Sequence, residues 1–174
     1  SLERQKSVLD FPFDYTPDDE AVQTLNYAIY FNDDDFAFHK AARSGKIRLA
    51  SPDRSLPYSC WLQPGEAPMV YLLPGLGAHR LSHGNVMLAK AIHEAGYSVA
   101  TISNIMHPEF IANGSSVGLP GYLPADAKDV RQALTALRQE LRWRYPGRIK
   151  SEALMGVSLG GIVTLAIAAG EENR

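Results

Sequence analysis

The run Ser151–Gly170, SEALMGVSLGGIVTLAIAAG, passes from a strand pattern to a strongly apolar helix pattern through Gly156-Val157-Ser158-Leu159-Gly160. A chain that turns so sharply from strand to helix crowds the two backbones together. Glycines at both ends of the turn remove the side chains that would collide. The serine between them is thrust out at the carboxyl end of the strand. The Leu159 N–H then stands at a helix amino end, where it points to the place a tetrahedral oxyanion would occupy. A G-x-S-x-G pattern alone has many chance matches; a strand directly before it and a helix directly after it make it specific.

The segments upstream fit the same architecture. Met69–Leu73 is continuously apolar, as in a strand buried on both faces of a parallel sheet, and Pro74-Gly75 end it. Val86, Leu88, Ala89, Ile92 and Ala95 have helical spacing, with Gly96 as a stop, and YSVATIS then reads as a strand. Together these make one crossover unit. KIRLAS and LPYSCWLQP are two further strands that can pair as a hairpin across PDRS. Residues 104–124 lack periodicity and read as a long irregular loop, rich in glycine and proline near its end. In PADAKDVRQALTALRQELRWRYPG, Val130, Leu134, Leu137 and Leu141 form one stripe, Asp126 complements the amino end and Pro146-Gly147 stop the helix. The expected fold is therefore α/β: three layers around a mostly parallel sheet, ending soon after the serine's helix.

Residues 1–45 differ in character, mixing aromatics, acids and prolines. They are expected to form an amino-terminal appendage, with a short helix over roughly 19–30 and with Phe31, Phe36 and Phe38 packing on the main domain, residues 46–174. Asp33–Asp35 carry metal-ligating atoms but lack the spaced oxygen donors of a calcium loop, so they read as a solvated turn or helix cap. No metal and no cofactor is expected.

Composition narrows the partners. With 17 basic and 19 acidic residues the formal net charge is -2, which gives no support for a nucleic-acid partner. No apolar run reaches the roughly 18 residues of a membrane-spanning helix. One cysteine, Cys60, permits no disulfide within the chain; this suits a soluble protein of a reducing compartment such as the cytoplasm, without excluding an extracytoplasmic one.

The second chemical feature is LLPGLGAH. Gly75-Leu76-Gly77 make a turn directly after the third strand, which is where a serine hydrolase of this architecture draws its other oxyanion donor; the Leu76 N–H is the expected one. With both motifs placed, residues 46–170 resemble the amino-terminal half of an α/β-hydrolase fold of the serine esterase and lipase kind. That family often begins its oxyanion loop with histidine-glycine, whereas this chain has Pro74-Gly75, which keeps the backbone donor and removes one orienting side chain. The resemblance implies a small acyl substrate, Ser158 as nucleophile and an acyl-serine intermediate. It also implies an acid and a histidine placed after the nucleophile.

After Ser158 the only ionisable residues are Glu171, Glu172 and Arg174; all five histidines, His39, His79, His83, His93 and His107, lie upstream. Three explanations stand open. The acid and histidine belong to a carboxyl-terminal segment beyond Arg174, which is the favoured expectation; or His79 or His107 serves as an unusual base; or the chain is inactive. His107 lies in the long loop and is a candidate substrate contact. A non-catalytic binding or structural protein of the same fold is the main alternative to an enzyme. A dinucleotide binder is disfavoured, because neither GVSLGG nor PGLGAH completes G-x-G-x-x-G.

Overall fold

The computed structural model describes residues 33–49 and 54–172. The expected helix over 19–30, Phe31 and the tip of the first hairpin lie outside the described residues. From Asp33 onward the chain forms one compact unit. Its elements are α1 (Asp33–Lys40), β1 (Arg43–Arg48), β2 (Ser55–Trp61), β3 (Ala67–Leu73), α2 (His83–Glu94), β4 (Ser98–Ile102), α3 (Pro108–Asn113), α4 (Leu123–Arg144), β5 (Ile149–Gly156) and α5 (Leu159–Glu172).

The five strands form one sheet in the order β1-β2-β4-β3-β5. β1 and β2 pair antiparallel, as the hairpin reading expects, with Ile47 opposite Leu56. β2 is antiparallel to β4, while β3 is parallel to both β4 and β5. Three parallel strands with β3 at their centre are the arrangement that crossover connections of these lengths allow. β3 and β4 are buried almost throughout, which accounts for their unbroken apolar runs.

Two cores cover the sheet. On one face Val130, Ala133, Leu137 and Leu141 of α4, with Val163 and Ile167 of α5, meet Met69, Tyr71, Ala100 and Ile102. On the other, Val86 and Ala89 of α2 cover Leu72 and Val99, beside Trp61. Leu134, expected in the α4 stripe, is only partly buried at its edge. Glu152 ties α4 to β5: it accepts hydrogen bonds from Tyr71 Oη at 3.1 Å and from Arg142 Nε at 3.3 Å, and Arg138 Nε lies 2.7 Å away. Burial and the neighbouring Glu152 charge push the Tyr71 phenol well above the usual tyrosine range.

Three sequence expectations need adjustment. β1 begins at Arg43, and residues from Asp33 onward belong to the compact unit rather than to the appendage assigned as 1–45. Phe38 explains this: its ring stacks on Trp61 at 5.0 Å, and its carbonyl accepts the Trp61 indole N–H at 2.8 Å. Phe36, expected to pack inward, is exposed. The loop expected over 104–124 contains the short helix α3, started by His107, whose Nδ1 accepts the Glu109 N–H.

Leu137 is fully buried beneath the sheet. Leu137→Ala is expected to lower unfolding free energy by about 2–5 kcal/mol, with an unchanged urea m-value, as read from equilibrium denaturation.

Candidate active site

β3, β4 and β5 all end at one edge of the sheet, and the candidate site is built where they end. Beyond β5 the Val157 N–H donates to Leu73 O at 3.0 Å, so the β3–β5 ladder runs one residue into the elbow. The chain then turns through Ser158 at a φ of 52°, the sole non-glycine with positive φ among the described residues. A β-carbon in this region is strained, by roughly 1–2 kcal/mol, and such strain gathers at functional sites.

The two elbow glycines are required by backbone contact. A Cβ on Gly156 would lie 2.3 Å from Gly160 O, and one on Gly160 would lie 2.3 Å from Leu73 O and 2.7 Å from Pro74 O. No rotamer change relieves either clash, because the obstructing atoms are main chain. α5 starts at Leu159, its first turn closed by the Ile162 N–H donating to Ser158 O at 3.1 Å.

The loop after β3 lies against the serine. A Cβ on Gly75 would sit 3.4 Å from Ser158 Cβ. The loop turns through Gly75–Ala78, with the Ala78 N–H donating to Gly75 O at 3.1 Å. Gly77 has φ 65° while Leu76 is not among the positive-φ residues, the signature of a type II turn. Leu76 is 70% exposed. Of the three N–H groups at 76–78, that of Ala78 is spent inside the turn and that of Gly77 donates to Asn104 Oδ1 at 3.2 Å. Among the described residues, neither the Leu76 N–H nor the Leu159 N–H donates to a protein acceptor.

Sequence reasoning missed Asn104. It is 4% exposed, and its Nδ2 donates to Pro74 O at 2.8 Å. Its Oδ1 also accepts the Met106 N–H at 2.9 Å, and its own N–H donates to Ala78 O at 3.0 Å. The readable signal was a Ser103-Asn104 pair set between apolar Ile102 and Ile105, a place where polar groups need specific partners.

A second polar cluster locks the same edge. Arg80 bonds Glu109 directly, and its Nε donates to Ser59 Oγ at 3.1 Å. Ser103 Oγ donates to Glu109 Oε2 at 2.6 Å. The His79 and His107 rings lie 5.1 Å apart. His79 Nδ1 accepts the Leu81 N–H at 3.1 Å, and its Nε2 lies 2.7 Å from Arg80 Nη1 and 3.5 Å from Glu109 Oε1. Thus the two histidines named from sequence come together, but they are held to Leu81 and to Glu109, and neither is hydrogen-bonded to Ser158. His39 lies on α1 and His93 in the last turn of α2.

The outer part of the loop is pinned by two buried carboxylates. Asp129 accepts the Ser116 N–H at 2.7 Å and Asp126 accepts the Gly121 N–H at 2.9 Å. Asp126 thus holds the loop ahead of α4, not only the amino end of that helix. Val117, Leu119 and Tyr122 are left facing outward. Among the described residues no group of three His, Cys, Asp or Glu is placed to hold a metal ion, and no helix is long and apolar enough to cross a membrane.

The sheet order, the strained serine elbow and the adjoining glycine turn together define an α/β-hydrolase fold. No protein-family model and no curated protein matches the sequence. Among solved structures, the chain is similar to a cold-adapted esterase from an Arctic intertidal metagenomic library, at 18% identity and TM-score 0.58, over 75% of this chain and 56% of that one. It is similar to an esterase of Pyrococcus furiosus at 21% identity and TM-score 0.53, over 79% of this chain and 49% of that one. It is also similar to a lidless α/β serine hydrolase of Xanthomonas campestris at 23% identity and TM-score 0.51, over 75% and 57%. The chain spans about half the length of these structures.

The polar cluster carries a pH dependence. Burial and the adjacent Arg80 charge lower the His79 pKa despite the nearby Glu109. For Glu109, burial alone would raise the pKa, but hydrogen bonds from Arg80 and Ser103, with the Arg80 charge, bring it below the usual range. Both groups bind protons more weakly folded than unfolded, so both favour the folded state at neutral pH and lose that effect on acidification. Stability is expected to be level above about pH 6.5 and to fall in steps below it, first with histidine and then, below about pH 4.3, with Glu109. Glu109→Gln should remove the second step, as measured by urea unfolding across pH.

Proposed function

We propose that this chain carries the nucleophile and oxyanion half of a serine hydrolase acting on a carboxylic ester or related acyl substrate. The observation that carries this reading is Ser158 held at φ 52° in a glycine-walled elbow, against the Gly75 turn. A strained serine at the carboxyl edge of a parallel sheet has no packing purpose, and its position suits attack on a carbonyl beside two uncommitted N–H groups. The esterase neighbours support hydrolase chemistry on this fold.

In the proposed reaction Oγ of Ser158 attacks the acyl carbon as a base takes its proton. The developing oxyanion sits between the N–H groups of Leu76 and Leu159 and collapses, expelling the alcohol. Water then releases the acid from the acyl-serine. The base is a histidine oriented by an acid, both supplied by a segment following Arg174. His79 and His107 are poorly suited to that role, since each spends Nδ1 on a backbone N–H. His107, with its ring 5.1 Å from that of His79, is a candidate substrate contact. Apolar Leu76, on the turn after β3, and Val117, Leu119 and Tyr122, on the loop ahead of α4, are exposed and favour an apolar acyl or alcohol group.

A fluorophosphonate probe applied to the polypeptide of the complete reading frame is expected to label Ser158. Ser158→Ala should abolish labelling and cut ester hydrolysis by about 10⁴-fold or more. Residues 1–174 alone should label weakly or not at all. Ser158→Gly should be equally inactive yet more stable than Ser158→Ala by about 1 kcal/mol, reversing the usual preference because φ is positive. A folded full-length protein that no serine probe labels would leave a non-catalytic role. Strong labelling of residues 1–174 alone would point instead to His79 or His107 as base.

A further inference from the structure

We infer that Asn104 is the positioning residue of the oxyanion turn: its side-chain amide holds the two peptides on either side of the one that carries the Leu76 N–H, and so fixes the direction of that donor. The inference rests on the serine hydrolase reading above.

A turn of this kind has a weak point. The peptide between Leu76 and Gly77 can rotate, exchanging a type II turn for a type I turn at little cost in an isolated chain. With its φ of 65°, Gly77 is in the type II form. That rotation would swing the Gly77 N–H away and bring the Leu76 carbonyl toward the same side. Asn104 Oδ1, an acceptor 3.2 Å from Gly77 N, stabilises the N–H and repels the carbonyl. Simultaneously Nδ2 holds Pro74 O at 2.8 Å. The amide therefore grips the turn at the residue before Gly75 and at the residue after Leu76. The Asn104 N–H adds a third hold on Ala78 O.

The choice of residue type follows. Gripping a carbonyl and an N–H three residues apart on one loop requires an acceptor and a donor on one short, rigid group. Asparagine supplies both. Aspartate would keep the acceptor but set a carboxylate against Pro74 O; leucine would fill the space and bond neither. Burial prevents water from replacing the lost partners freely. The Oδ1 bond to the Met106 N–H, at 2.9 Å, fixes the amide's own orientation, so the grip does not depend on the substrate. Unlike Leu76 and Ser158, Asn104 acts through the backbone it holds and need not touch the substrate.

The test uses the complete reading-frame protein, with a short-chain p-nitrophenyl ester as substrate and an alkyl trifluoromethyl ketone as the tetrahedral probe. For Asn104→Ala and Asn104→Asp, kcat is expected to fall about 10- to 100-fold with KM within about twofold, since the lost interaction is made in the transition state. Ki for the ketone should rise in proportion to the loss in kcat/KM. Tm will also fall, but a purely structural role predicts kcat and Ki unchanged once corrected for the folded fraction measured by circular dichroism. Unchanged kcat and Ki in folded Asn104→Ala would overturn the assignment while leaving Ser158 in place. Absence of Ser158-dependent hydrolysis and labelling in the wild-type protein would remove the hydrolase reading, and the inference with it. The Gly77 amide should exchange with solvent faster in Asn104→Ala by hydrogen-exchange NMR; unchanged protection there would independently refute the grip.

Discussion

Backbone packed directly on backbone holds this structure in register. Where β5 turns into α5, Gly156 meets the carbonyl of Gly160, and Gly160 meets the carbonyls of Leu73 and Pro74. One contact thereby fixes the start of the last helix, the end of the central strand and the root of the following turn. Ser158 is displaced into a left-handed conformation because the chain has no other route between strand and helix at that separation. The strain is tolerated because the β3–β5 ladder and the first turn of α5 clamp it from both sides.

Around this contact the sheet's carboxyl edge is stiffened by polar groups rather than by oily packing. Ser103 and Asn104, at the end of β4, are both buried, and they face different neighbours. Ser103 reaches Glu109 and takes the Arg80 N–H, while Asn104 reaches the turn after β3. Each buried polar group is an expense unless its partners are present. The arrangement thus specifies one loop conformation more sharply than apolar side chains would, since apolar contacts accept small displacements and hydrogen bonds do not.

Much of this was legible in the sequence because the relevant residues act locally. Gly156-Val157-Ser158-Leu159-Gly160 declares its own turn, the apolar run Met69–Leu73 its own burial, and the α4 stripe its own face. The parallel order of β3, β4 and β5 followed from the helices that join them. What was not legible depends on contacts between distant residues. That Phe38 packs on the main domain was expected, but not that its seat is Trp61, 23 positions later. Asn104 resembles an ordinary loop asparagine until the turn 30 residues earlier is folded against it. The helix α3 was hidden by its length, since six residues show too little periodicity to stand out from a loop.

The two carboxylates beneath the outer loop separate anchorage from display. Among the described residues, Asp126 and Asp129 hold main-chain groups and the Ser116 hydroxyl, so the path of the loop is set in good part by residues that belong to α4. Val117 and Leu119 contribute little to that anchorage, and Leu119 is 80% exposed. Side chains at these positions can therefore change in size and chemistry across generations without a cost in folding. A descendant line could remodel what this loop presents to solvent while inheriting the elbow, the turn and their grip intact.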